Sequence, residues 1–108
     1  MKKLGFVAFS LILAAILVSA APKKAGDAAK GKAVFEQCAV CHNPDNNDKK
    51  VGPGLKGLFK RAKLTNGKKL TDESVLARIN QGGDGMPAYA EMLTDQEKAD
   101  VLAYLKTL

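Results

Sequence analysis

The sequence predicts an all-α domain, and three observations predict it. Apolar residues recur at helical spacing in three separate stretches, two of them opened by a hydroxyl-bearing capping residue and one by an aspartate. Almost nothing alternates apolar and polar residues in the manner of a strand. A long, turn-rich connection separates the first two stretches, of a length that a compact domain tolerates when it wraps something. With 108 residues there is room for one such domain and no more.

The opening segment stands apart from that domain. Met1-Lys2-Lys3 is a positive start, Leu4 to Val18 is apolar except for Gly5 and Ser10, and Val18-Ser19-Ala20 offers small residues where a signal peptidase reads. This is the layout of a secretory signal peptide, 1–20, cleaved after Ala20. The competing reading is an uncleaved membrane anchor, but an apolar run of about 15 residues falls short of the ~20 that span a bilayer. No cysteine lies near the cleavage point, which argues against a lipid-anchored form. The mature domain is then 21–108, with 15 basic against 11 acidic residues. That mild positive balance is below the level of a nucleic-acid binder. It suits a soluble protein that meets an acidic surface, or serves solubility alone.

Asp27 is positioned to cap the first helix, expected from about Asp27 to Cys41, where Ala28, Ala29, Ala33 and Val34 favour helix. Thr71 caps the second, about Asp72 to Gln81, whose apolar face is Val75, Leu76 and Ile79. Leu70 and Val75 are spaced for a hydrophobic staple, and Gly82-Gly83 ends the helix. The third is expected from Asp95 to the chain end. Thr94-Asp95-Gln96-Glu97 fits a capping box, and Val101, Leu102, Leu105 and Leu108 follow at helical spacing. Between the first two helices, Asn43-Pro44-Asp45, Gly52-Pro53-Gly54 and Asn66-Gly67 are turn signals in a polar connection.

A mature chain this short buries little surface, and its aromatics are few: Phe35, Phe59, Tyr89 and Tyr104, with no tryptophan. Something other than side chains is expected in the middle. Cys38-Ala39-Val40-Cys41-His42 says what. A Cys-x-x-Cys-His run is a c-type haem attachment site. On a helical turn, residues three and four apart share a face, so both sulfurs reach the vinyl groups of one haem while His42 offers an imidazole nitrogen to its iron. Export agrees with this, since attachment takes place outside the cytoplasm. A zinc site needs about four ligands, and the chain has one histidine and no further cysteine. A dithiol redox motif belongs beside a βαβ pattern, which is missing, and a structural disulfide across so short a loop does little.

On these residues the chain resembles class I cytochrome c of the small bacterial monohaem kind. The resemblance covers Gly26 to Leu108 and adds Gly52-Pro53-Gly54-Leu55, Gly85-Met86-Pro87 and a final helix bearing an aromatic. It implies a cytochrome c fold, three main helices and long loops around one covalent haem c held through Cys38 and Cys41. It implies Met86 as the iron ligand opposite His42; the plainer reading is a methionine that fills the core. Gly82, Gly83 and Gly85 let the backbone approach the haem closely, and a thioether favours ferrous iron. Met92 is expected to pack. The resemblance also implies a Pro53 carbonyl that accepts from the ligand histidine, Leu55 against the haem, and Arg61 paired with a propionate. A turn proline and a solvated arginine are the alternatives. The pair Gly31 and Phe35 is implied to cross the last helix at Val101 and Tyr104.

The function expected is a periplasmic single-electron carrier, not an enzyme, shuttling between membrane respiratory or photosynthetic complexes as a monomer. Its partners are redox proteins with acidic docking surfaces, and neither nucleic acid nor stable membrane insertion is expected once the signal is gone. Lys49, Lys50, Lys56, Lys60, Lys63, Lys68 and Lys69 form either a solvated face or a basic rim that steers such partners. The alternatives are a small haem enzyme or gas sensor with an open sixth iron position, and a membrane-anchored haem subunit.

Overall fold

A computed structural model of the chain describes residues 25–108; the expected signal segment lies outside them. Three α-helices and one short 3₁₀ helix follow in order: α1 at Ala28–Phe35, the 3₁₀ turn at Leu58–Lys60, α2 at Asp72–Gln81 and α3 at Asp95–Leu105. Pairing of extended backbone among the described residues is confined to two isolated bridges, Lys63 with Lys69 and Gly83 with Met86. The expected all-α architecture is what the chain adopts.

Each helix starts where its capping residue stands. The Asp27 carboxylate accepts from the Ala29 and Lys30 amides. Thr71 and Ser74 exchange side-chain and backbone hydrogen bonds in a capping box, and Thr94 and Glu97 do the same. The second helix has the expected bounds. Two ends differ from expectation. Helix α1 stops at Phe35 rather than Cys41, because from Glu36 on three-residue bonds interrupt the four-residue pattern, which survives only at Ala39 to Phe35 and His42 to Cys38. Glu36 N–H reaches Ala33, Cys38 N–H reaches Phe35, and Cys41 N–H reaches Cys38, each across three residues. Helix α3 stops at Leu105, after which Lys106 and Thr107 form a turn closed by the Tyr104 carbonyl.

Helices α1 and α3 cross in close contact, while α2 touches α3 only lightly. The crossing depends on Gly31: a Cβ there would collide with the Asp100 carbonyl and press on Tyr104. Phe35 and Tyr104 complete it, ring centroids 5.2 Å apart and tilted by 54°. Buried Asp100 fastens the start of α1 to α3, accepting from the Asp27 amide at 2.8 Å and from Gln96 Nε2 at 2.9 Å. The remaining core is Leu58, Val75, Ile79, Tyr89, Leu93, Val101, Leu102 and Leu105, with Leu70 packed against it as a staple residue should be. These side chains come from all three helices and the connection, and most of them face a common cavity.

Candidate haem-binding site

The cavity, about 470 Å³, is of the size that holds a small cofactor and is walled mainly by apolar side chains. Phe35, Leu58, Val75, Ile79, Val101 and Leu105 contribute to the wall, so the hydrophobic core and the binding site are one surface. Cys38, Cys41, His42, Pro53, Leu55, Arg61 and Met86, distant in sequence, all line it.

The two cysteines are free thiols on one side. Although the continuous helix has ended, the Cys38–His42 turn keeps helical geometry: the His42 amide donates to the Cys38 carbonyl at 3.0 Å and the Cys41 amide to the same oxygen at 3.1 Å. The expected sharing of a face therefore holds locally. Burial pushes the Cys38 thiol above its ordinary pKa, and the neighbouring Cys41 adds to the shift.

His42 is fixed through the glycine-proline loop. The Gly52 amide donates to the Cys41 carbonyl at 2.7 Å, which brings Pro53 alongside the imidazole. His42 Nδ1 and the Pro53 carbonyl are 2.8 Å apart. A carbonyl only accepts, so Nδ1 carries the proton and Nε2 is left with its lone pair. Gly52 lies against the same ring, since a Cβ there would collide with Cε1 and come within 2.9 Å of Nδ1 and 3.0 Å of Nε2.

Met86 is presented by a two-residue hairpin. The Gly83 amide donates to the Met86 carbonyl at 2.9 Å, and the Met86 amide returns to Gly83 at 3.0 Å. Between them Asp84 and Gly85 have φ of +54° and +87°, values of a type I′ turn, for which Asp-Gly is a preferred pair. The glycines, read from sequence as room for a ligand, thus serve turn geometry first. Gly82, with φ +63° and ψ −146°, takes the chain from α2 into the hairpin through backbone that only glycine adopts readily. Met92 does not pack as expected. It is 62% exposed, because the turn before α3 sends Leu93 inward in its place.

Arg61 is held rather than free. Its Nη2 donates to Asn47 Oδ1 and the Gly54 carbonyl, each at 2.8 Å, and to the Lys56 carbonyl at 3.0 Å. It cross-links the connection while its side chain lines the cavity, setting one fixed cation on the wall. Tyr89 and Arg78 are among the lining residues that sequence reasoning missed. Tyr89 is buried where its amide bonds the Ile79 carbonyl, and burial raises its hydroxyl pKa. Arg78 stands three residues after Val75, and that spacing, on the edge of the Val75–Ile79 face, was the signal for it.

The donor set fits a haem: two sulfurs for its edge, an imidazole with a free nitrogen, a thioether, and apolar walls between. Comparison with known proteins agrees. Residues 28–108 match the family model described as cytochrome c. Over 97% of its length the chain is 35% identical to cytochrome c6 of Picosynechococcus sp., covering 92% of that protein. It is 37% identical to cytochrome c2 of Blastochloris viridis, with 98% of this chain and 93% of that one aligned. Among solved structures, cytochrome c6 of the diatom Phaeodactylum tricornutum superposes with a TM-score of 0.59 at 29% identity, covering 76% of this chain and 93% of that one. Fold and site define a small class I monohaem protein, one that carries electrons rather than catalysing a reaction. The chain belongs to the cytochrome c family, and its cofactor is one haem c bonded through Cys38 and Cys41.

Proposed function

We propose that the chain is a periplasmic single-electron carrier whose iron is held between His42 Nε2 and Met86 Sδ, working between membrane respiratory or photosynthetic complexes. The observation that carries this reading is the pairing of His42 with the Pro53 carbonyl in a cavity that Met86 also lines. A hydrogen-bonded imidazole is a stronger donor in a set orientation, and a thioether opposite it favours the ferrous state. With both positions filled no site is open to substrate, and iron with unchanged ligands reorganises little as it gains or loses an electron. Pro53 orients the histidine, Leu55 covers the macrocycle, and Arg61 offers its charge to a propionate. The test is the absorption spectrum of the ferric protein. A weak red methionine-to-iron band supports the carrier; a high-spin spectrum would move the protein to the open-site enzyme or sensor class.

Export and partner choice belong to the same reading. Residues 1–20 act as a cleaved signal, and the intact mass of the native protein should equal 21–108 plus one haem; a longer species would support an anchored subunit. The seven lysines of the connection are all exposed, and Lys49 also lies at the cavity. They form a basic rim for acidic docking surfaces on a monomeric carrier. Association with a redox partner should slow as ionic strength rises from about 10 mM to 200 mM, because the Debye length shortens from ~30 Å to under 10 Å. A rate independent of salt removes the rim from the mechanism.

A further inference from the structure

Arg78 lies at the entry to the Met86 hairpin and its side chain approaches the hairpin at two residues. Its carbonyl accepts the Gly82 amide at 2.8 Å, at the exit of α2. Its guanidinium passes beneath Gly83, where an added Cβ would lie 3.4 Å from Nη1. Its Nη2 then meets Asp84 Oδ2 at 3.2 Å, on the first residue of the type I′ turn. The two partners differ in setting: the arginine side chain is 26% exposed and lines the cavity, while the aspartate is 88% exposed. The hairpin's own two hydrogen bonds fix its internal shape, and the Tyr89 and Ala90 amides, donating to the Ile79 and Asn80 carbonyls, hold the chain beyond it to α2. The Arg78 side chain adds a tie from the helix to the turn itself, at Asp84.

We infer that Arg78 is a positioning residue for the sixth iron ligand: braced against Asp84, it holds the hairpin in the one tilt that keeps the Met86 sulfur on the iron. The inference rests on Met86 being that ligand. The same geometry gives Arg78 a second effect. It is a cation on the cavity wall, partly neutralised by Asp84, and a cation near the iron disfavours the ferric state. The pair therefore acts on the iron mechanically, through the hairpin, and electrostatically, through its two charges.

These effects separate experimentally. Exposed ion pairs contribute little to global stability, so Arg78→Gln and Asp84→Asn should fold, and asparagine keeps the positive φ of residue 84 accessible. In the ferric holoprotein, imidazole competes with Met86 for iron, and loss of the red band reports its binding. Each variant should bind imidazole about two- to five-fold more tightly than wild type, the range an exposed pair can impose. The double variant should gain no more than either single one, since both remove one brace. The reduction potentials should move in opposite directions: down in Arg78→Gln, which leaves an unpaired anion, and up in Asp84→Asn, which leaves an unpaired cation. Arg78→Lys should restore the potential. A red band in wild type with unchanged imidazole affinity in both variants overturns the brace alone. A wild type with no red band overturns the Met86 assignment, and the brace falls with it.

Discussion

The ring of His42 has two nitrogens, and the Pro53 carbonyl has taken one of them. At the scale of single residues the site is an exercise in leaving one atom available on each ligand. For histidine this is done by a carbonyl on Nδ1 and by Gly52, whose missing side chain leaves the ring its place. For methionine it is done by a turn whose φ values suit Asp-Gly, so that the next side chain is aimed by backbone geometry as well as by its packing against the core. Met86 lines the cavity with part of its surface still accessible. Replacing it with alanine should leave the fold in place and open the iron. Met86→Ala is expected to lose the red ferric band entirely, to turn high-spin or bind added imidazole readily, and to have a lower reduction potential, as a thioether no longer favours the ferrous state. Retention of the band by this variant would hand the ligand role to another sulfur, and Met92, exposed in the turn before α3, is the candidate to examine.

At the scale of elements, the α1–α3 crossing does most of the structural work. Phe35 is 3% exposed, meets Tyr104 in a tilted ring contact, and also forms part of the cavity wall. Phe35→Ala should cost about 3–5 kcal/mol in thermal or denaturant unfolding of the holoprotein. Asp100 ties the same two helices through a different chemistry. Its carboxyl lies below the usual carboxylate range, first because the Asp27 amide donates to it, then because of Gln96 and the nearby Lys30 charge. A folded value below the unfolded one means the contribution is complete above the unfolded pKa, near ~4, and is lost as pH falls through the folded value. The stability difference between wild type and Asp100→Asn should thus be constant from pH 7 to about 5 and shrink below ~4; a difference that does not change with pH would assign the bond a neutral role. The two ties were not equally visible in the sequence. Gly31 and Phe35 were, because a glycine within a helix and an aromatic four residues on mark a close crossing once the family is recognised. Asp100 was not, because a carboxylate on a helix is ordinarily solvated and only the return of the chain's beginning to α3 buries it. Caps were legible because Thr71 and Thr94 act on amides within three residues. The early end of α1 was not, since no glycine or proline marks it and the switch to three-residue bonds after Phe35 is a matter of backbone geometry that side-chain spacing does not encode.

Across the whole molecule, α1 and α3 are packed closely and α2 touches α3 only lightly, and the apolar side chains that form the core also face a shared space. Leu58, Val75, Ile79, Val101 and Leu105 are all buried, yet all line the cavity. Domains of this size are marginal even with a complete core, and here the macrocycle is a large share of that core. Covalent attachment then couples folding to the cofactor: whatever binds the folded chain alone stabilises it, and a bond through sulfur cannot dissociate by dilution. The double variant Cys38→Ser/Cys41→Ser, made without haem, should therefore lack the cooperative unfolding transition of the holoprotein and lose most of its far-ultraviolet helical signal at 25 °C. The caps and the Phe35–Tyr104 contact remain in that chain, so residual helix should be confined to α1 and α3, with amide exchange in α2 close to the unprotected rate. Protection across α2 equal to that of the holoprotein would mean that the three helices close on one another unaided, and that the haem is a passenger in a fold already complete.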